Sequence, residues 1–158
     1  MLQRIQSLFL AVVTVSMGVF ITLPLWEKIS SDGLQSVSLT SIRFTHQLNQ
    51  VQSEVESVLY LAVLAGIIGI VAAYAITRFK NRLVQSGLCA ANSILMTVLL
   101  GATIYQTWYK GVKLFDTQDQ GNYQYGFYAL IVAMIANVMA NRFIRRDERM
   151  VKESNRFR

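Results

Sequence analysis

Four long uncharged segments dominate the distribution of hydrophobic and polar residues along the chain. They cover residues 8–26, 58–77, 83–105 and 125–141. A helix needs about 20 apolar residues to cross a bilayer, and a backbone in lipid has to satisfy its own hydrogen bonds, so each segment is expected to be a transmembrane helix. The pattern predicts an all-α membrane protein, in which residues 1–158 form one integral domain built on a four-transmembrane-helix bundle.

The longest segment between these helices, residues 27–57, has two patterns of its own. Residues 36–44 are rich in Ser, Thr, Val and Ile, a composition that favours a short extended strand. Further on, apolar residues recur at steps of four and three, which is the spacing of one helix face. We therefore expect a helix that begins near Thr45 and continues into the second span. The apolar positions concerned are Phe44, Leu48, Val51, Val55 and Val58.

The basic residues indicate an orientation in the membrane. Of the 15 Lys and Arg residues, eleven lie before the first span, between spans two and three, or after span four. Because short cytoplasmic segments carry the excess of Lys and Arg, both termini are predicted to be cytoplasmic and residues 27–57 to form an outer loop. The net charge of +6 is then a consequence of topology and does not indicate nucleic-acid binding. The predicted cytoplasmic basic face consists of Arg78, Lys80, Arg82, Arg142, Arg145, Arg146 and Arg149.

The basic tail, residues 142–158, has two interpretations. It is expected to be a helical extension close to anionic lipid headgroups, where each basic residue contributes about 1 kcal/mol. The alternative is a docking segment for a cytoplasmic partner. At the other side, aromatic residues cluster near the ends of the spans, as in the interfacial belts of membrane proteins. These aromatic residues are Trp26, Tyr60, Tyr105, Trp108, Tyr109, Tyr123, Tyr125 and Tyr128.

Each span also carries a row of small residues at steps of three or four. In lipid no hydrophobic force drives helices together, so close packing depends on small side chains. We interpret these rows as inner seams of the bundle, and the alternative is a docking face for another membrane protein. The predicted helix-packing residues are Gly18, Gly66, Gly69, Ser93, Thr97, Ala133 and Ala136.

The polar residues inside the spans are amides and hydroxyls. Gln85 and Asn92 share one face of span three, and Asn137 and Asn141 are one turn apart in span four. An unpaired amide in lipid would cost several kcal/mol, so these side chains are expected to hydrogen-bond between helices. A polar site for a small ligand or a lipid headgroup is the alternative.

Composition and motifs exclude several kinds of chemistry. Only 15% of residues are charged, whereas soluble domains have about 25%. One cysteine and one histidine do not suffice for a disulfide framework or a multi-histidine metal site. Spans without ionisable residues argue against proton-coupled transport and voltage sensing. We predict no catalytic residue, no metal and no cofactor; the one conceivable outer site contains His46, Glu54 and Glu56.

Three stretches of the chain resemble a known family. They are residues 1–8 (MLQRIQSL), residues 23–26 (LPLW) and residues 81–89 (NRLVQSGLC). The chain resembles, over nearly its whole length, a family of small four-helix membrane proteins known mainly from Bacteroidota and described only as a domain of unknown function. This resemblance implies a bacterial inner-membrane location and provides no catalytic residue to transfer.

Together these observations favour a non-enzymatic accessory or structural subunit. Such a protein would pack against other integral membrane proteins in a larger complex. The alternative is an oligomeric pore or carrier for a neutral solute or lipid, lined by Gln85, Asn92 and Asn137.

Overall fold

The structure is a computed structural model, and it describes residues 2–31, 33–48, 51–78, 81–114 and 119–156. Its four helices are α1 (Leu2–Thr22), α2 (Leu59–Thr77), α3 (Arg82–Tyr105) and α4 (Tyr125–Arg156). Each belongs to a stretch that is long and apolar enough to cross a membrane, namely Ile5–Thr22, Leu59–Thr77, Arg82–Gly111 and Tyr125–Glu148. The prediction of four apolar helices is confirmed.

The helix ends differ from the predicted spans for physical reasons. α1 ends at Thr22 because Pro24 cannot donate a backbone hydrogen bond and disfavours helix at the residue before it. α3 continues directly into a π-helix, Gln106–Gly111. α4 continues through the predicted tail to Arg156, so residues 142–156 extend the fourth helix without a break.

The helices form a closed ring in chain order. α1 packs against α2 and α4, and α3 packs against the same two helices. Alanines on α2 and α4 allow the neighbouring helices to approach closely. Buried side chains from all four helices fill the centre: Val13, Met17, Phe20, Ala65, Ile68, Ala72, Met96, Leu99, Leu130, Ala133 and Ala136.

A five-stranded antiparallel sheet is also present, and it corrects the all-α prediction. The strands are β1 (Trp26–Ile29), β2 (Gln35–Leu39), β3 (Arg43–Leu48), β4 (Val51–Ser57) and β5 (Asn122–Tyr123). Their order in the sheet is β4-β3-β2-β1-β5. The fold is therefore mostly helical, with a sheet formed almost entirely by the predicted outer loop.

The prediction of a helix that leads from this loop into the second span is wrong. The apolar residues at that spacing belong to two paired strands, β3 and β4. A step of four, from Phe44 to Leu48, keeps two residues on one face of a strand as well as of a helix. The step from Val51 to Val55 spans the irregularity in the pairing of β3 and β4. The odd step of three, from Leu48 to Val51, falls on the connection between β3 and β4, where these two residues face each other. The single strand predicted over residues 36–44 is likewise two strands, β2 and the start of β3.

The sheet is attached to one end of the bundle, which we call the sheet end; the opposite end, from which α4 extends, is the tail end. The Leu25 amide donates to the Leu39 carbonyl at 2.8 Å. The buried Ser41 hydroxyl donates to the Ile21 carbonyl, in the last turn of α1, at 2.7 Å. Leu39 and Phe44 belong to the same hydrophobic core as the helices. The sheet and the bundle thus share one core.

Trp26 is the anchor of this junction, and its predicted place in an interfacial belt is wrong. The side chain is 1% exposed. Its ring lies so close to Gly111 and Gly121 that a Cβ atom added at either glycine would be 2.6 Å from ring carbons. Its indole N–H donates to the Gln120 carbonyl at 3.2 Å. The other aromatic residues are exposed at the sheet end, apart from the half-buried Tyr123: Tyr60, Tyr105, Trp108, Tyr109, Tyr125 and Tyr128.

Candidate functional site

Amide side chains connect α3 to α2 along the bundle. Gln85, Asn92 and, in the π-helix, Gln106 are separated by multiples of seven residues, which places them on one face. The Gln85 amide donates to the Ala75 carbonyl and the Asn92 amide to the Ile68 carbonyl, each at 3.2 Å. Gln106 donates to the Tyr60 hydroxyl. In this arrangement the amides hold two antiparallel helices in register.

A second set of polar contacts connects α3 to α4. The Asn137 amide donates to the Cys89 carbonyl and to the Ser93 hydroxyl oxygen, both at 2.9 Å. One turn further, the Ser86 hydroxyl donates to Asn141 Oδ1 at 3.0 Å. All four predicted intramembrane polar residues therefore lie at contacts between helices.

The carbonyl oxygens of these amides are less well satisfied than their nitrogens. Gln85 Oε1, Asn92 Oδ1 and Asn137 Oδ1 are buried and accept no hydrogen bond from any residue that the structure describes. A buried acceptor without a donor costs about 1–3 kcal/mol. Neutral amide oxygens can accept a hydrogen bond from a small neutral donor, but they neither carry charge nor transfer a proton.

The predicted helix-packing residues occupy different environments. Ala133 and Ala136 are buried in the core, and Gly69 faces α1, where a Cβ atom would lie 3.5 Å from Met17 Cβ. Gly18 and Thr97, by contrast, are exposed. Two predicted residues are half-buried, Ser93 and Gly66. Ser93 accepts the bond from α4 described above, and Gly66 has open space around its Cβ position. The small-residue rows are therefore only partly inner seams.

At the tail end, α4 is fastened to α1 and α3. Arg82 Nε lies 3.1 Å from Asp147 Oδ2, and both side chains are largely buried. The Gln6 amide donates to the Phe143 carbonyl at 3.2 Å, and the Phe143 ring stacks on Phe9. These contacts explain why the helix continues beyond the predicted span.

The remaining residues of the predicted basic face are mostly exposed. The Arg78 guanidinium donates to the Tyr74 hydroxyl at 2.7 Å and lies over the same ring. Lys80 lies outside the described residues, and Arg149 belongs to α4 but its side chain is outside the described part. Three arginines of α4 are exposed at this end: Arg142, Arg145 and Arg146.

The conceivable outer site is partly assembled by the sheet. The register of β3 and β4 places His46 opposite Glu54. Glu56, two pairs closer to the bundle, forms an ion pair with Lys110 of the π-helix. Within the described ranges, no group of three or more His, Cys, Asp or Glu residues is arranged to hold a metal ion.

Sequence reasoning missed two buried polar residues at the sheet end. Lys28 is one of the four basic residues that the charge distribution leaves on the predicted outer side. It is 1% exposed, and its ammonium donates to the Val112 carbonyl at 3.1 Å. Lys28 lies two residues after Trp26 on the same face of β1, but no local pattern in the sequence indicates that this face is buried. Gln106 lay beyond the predicted third span.

Comparison with known proteins agrees with the resemblance in the sequence. A family model described as "Domain of unknown function (DUF4293)" matches residues 2–157, nearly the whole chain. No curated protein matches the chain. The resemblance to a family of unknown function is confirmed, and any function has to be argued from the geometry.

Proposed function

We propose, for a chain that belongs to the DUF4293 family of unknown function, a non-enzymatic role as an accessory or structural subunit of a larger membrane protein complex. The protein spans the inner membrane of a bacterium with both termini in the cytoplasm and the sheet outside. It packs laterally against other integral membrane proteins.

The observation that carries this proposal is the outward face of α3. Gly87 and Ala91, and then Thr97 and Gly101, form two pairs of small residues four positions apart, and all four are exposed. Nothing lies within 4 Å of a Cβ position at Gly87 or Gly101. Pairs of small residues at this spacing allow another transmembrane helix to approach closely. A partner helix would gain dispersion contacts there that a lipid chain makes less well.

Solubilisation in a gentle detergent, with a cleavable tag fused after Arg158, tests the proposal. We expect the wild-type chain to co-purify in a stoichiometric complex, read by mass spectrometry and native size. Gly87→Leu with Gly101→Leu should abolish that complex, because the bulky side chains prevent close approach.

The matched control is Ala73→Leu, which enlarges an exposed small residue on α2 instead. It should leave the complex intact. Recovery of the wild-type chain alone, as a monomer or homo-oligomer, would contradict the proposal.

The second candidate is an oligomeric pore or carrier for a neutral solute or lipid. The buried carbonyl oxygens of Gln85, Asn92 and Asn137 favour it, since they could accept hydrogen bonds from a passing neutral molecule. The use of the same amides to join helices argues against it. In reconstituted vesicles Asn92→Leu should abolish flux of the solute; unchanged flux would exclude this function.

A further inference from the structure

We propose that the tail end of α4 binds the headgroups of anionic phospholipids through an arginine patch formed by Arg142, Arg145 and Arg146. The proposal rests on the membrane location given above but requires no protein partner. The basic tail was expected only to lie close to anionic headgroups; the proposal assigns the binding of these headgroups to three residues and sets the preference that they produce.

The arginine patch lies on one side of the helix. Positions separated by three and four residues are neighbours on a helix surface, and all three arginines are exposed. Ile144 and Asp147, on the opposite side, are buried against the bundle. The guanidinium groups therefore point away from the protein.

The positive charge of the patch is not neutralised by the neighbouring carboxylates. Asp147 faces Arg82 of α3, and Glu148 is half-buried and has an interaction of its own. Among the described side chains, no ion pair involves any of the three arginines. Asp147 stabilises the junction with α3, while the three arginines remain available to an external anion.

The distance of the patch along α4 indicates that the external anion is a lipid headgroup. Tyr125 begins α4 at the sheet end, where it is 77% exposed. At 1.5 Å per residue, Arg142 lies about 25 Å and Arg146 about 31 Å further along the helix. The hydrocarbon core of a bilayer is about 30 Å thick, so the patch lies where phosphates begin. Guanidinium groups bind phosphate oxygens in a bidentate manner. A choline headgroup partly neutralises the negative charge of that phosphate, whereas a glycerol headgroup does not.

Native mass spectrometry of the purified full-length chain, with competing phosphatidylglycerol and phosphatidylcholine, tests this assignment. A basic residue near an anionic surface contributes a roughly fivefold preference. Arg145→Gln with Arg146→Gln should therefore lower the preference for phosphatidylglycerol about 25-fold. A decrease of less than about threefold, or a wild-type chain without preference, would overturn the proposal.

Two further variants separate charge from structure. Arg43→Gln with Lys113→Gln removes the same charge from exposed residues at the sheet end and should leave the preference unchanged. Arg145→Lys with Arg146→Lys keeps the charge and should retain most of the preference. Loss of the preference in either variant, equal to that in the glutamine variant of the patch, would overturn the proposal.

The source of the phosphate is tested by competition with soluble anions. At equal ionic strength, inorganic phosphate should displace no more lipid than chloride does. Stoichiometric displacement by phosphate would identify a soluble-anion site and overturn the assignment to lipid. Because the purified chain is measured alone, failure here leaves the lateral-docking proposal intact, and failure to isolate a complex leaves this one intact.

Discussion

At the scale of single residues, Trp26 determines how the sheet end is closed. Its ring is held between Gly111, in the π-helix, and Gly121, just before β5. Both positions require the absence of a side chain, since a Cβ atom would overlap the ring. The Trp26 indole thereby joins β1 to the segment that follows α3, and this contact requires glycine at both positions.

Gly121 offers a direct test of this contact, with Gly33 as its matched control. Both have a positive φ, 69° and 66°, which disfavours any residue with a Cβ atom by about 1 kcal/mol. Only at Gly121 does the added Cβ also meet the Trp26 ring. Gly121→Ala should lower the free energy of unfolding in detergent by about 1–3 kcal/mol more than Gly33→Ala does. Equal losses would show that the Trp26 contact does not constrain the fold.

At the scale of elements, polar contacts fix how the helices meet. Amides of α3 and α4 act between helices in the apolar region, and ion pairs act at the two ends. Arg82 and Asp147 join α3 to α4 at the tail end, and Lys110 and Glu56 join the π-helix to β4 at the sheet end. The first pair is the more buried, with side chains 24% and 12% exposed against 33% and 54%.

Double-mutant cycles on the two pairs should differ accordingly. Solvent screening weakens exposed ion pairs, which typically contribute about 0.2–1 kcal/mol. We expect a coupling energy of about 1 kcal/mol for Arg82→Gln with Asp147→Asn, and less than about 0.5 kcal/mol for Lys110→Gln with Glu56→Gln. Unfolding in detergent provides both values. A larger coupling at the sheet end would contradict the assignment of Arg82 and Asp147 as the stronger junction.

The elements differ in how well the sequence predicts them. The apolar helices are predictable because a span needs about 20 uncharged residues, and little else explains such a run. The hairpin of β3 and β4 was missed because apolar residues four apart fit a helix and a strand equally. The burial of Trp26 and Lys28 depends on glycines and a carbonyl more than 80 residues away, contacts that no local pattern encodes.

The candidate sites were predictable to different degrees. Asn92 and Asn137 were expected between helices from their depth in apolar segments, and they lie there. The small residues of the spans follow the same spacing whether they face a neighbouring helix or the outside, so the exposure of Gly18 and Thr97 could not be derived from it. Only the packing of the four helices against one another decides which face of each helix turns inward.

At the scale of the whole molecule, the protein has two unlike ends. A sheet, a π-helix and exposed aromatic residues form one end. The C-terminal part of α4, which carries the arginine patch, forms the other. Residues between them are apolar at the surface and joined by amides inside. This polarity supports the proposed orientation, in which the sheet lies outside and the arginine patch contacts the cytoplasmic leaflet.

Cysteine labelling in intact bacteria tests this central claim most directly. The chain's single cysteine, Cys89, is buried and serves as a silent background. Ser31→Cys places a thiol in the exposed turn after β1, and Met150→Cys places one on the exposed side of the α4 extension. We expect a membrane-impermeant maleimide to label the first variant in intact cells and the second only after the membrane is opened. The opposite pattern, or equal labelling of both variants before the membrane is opened, would contradict the account.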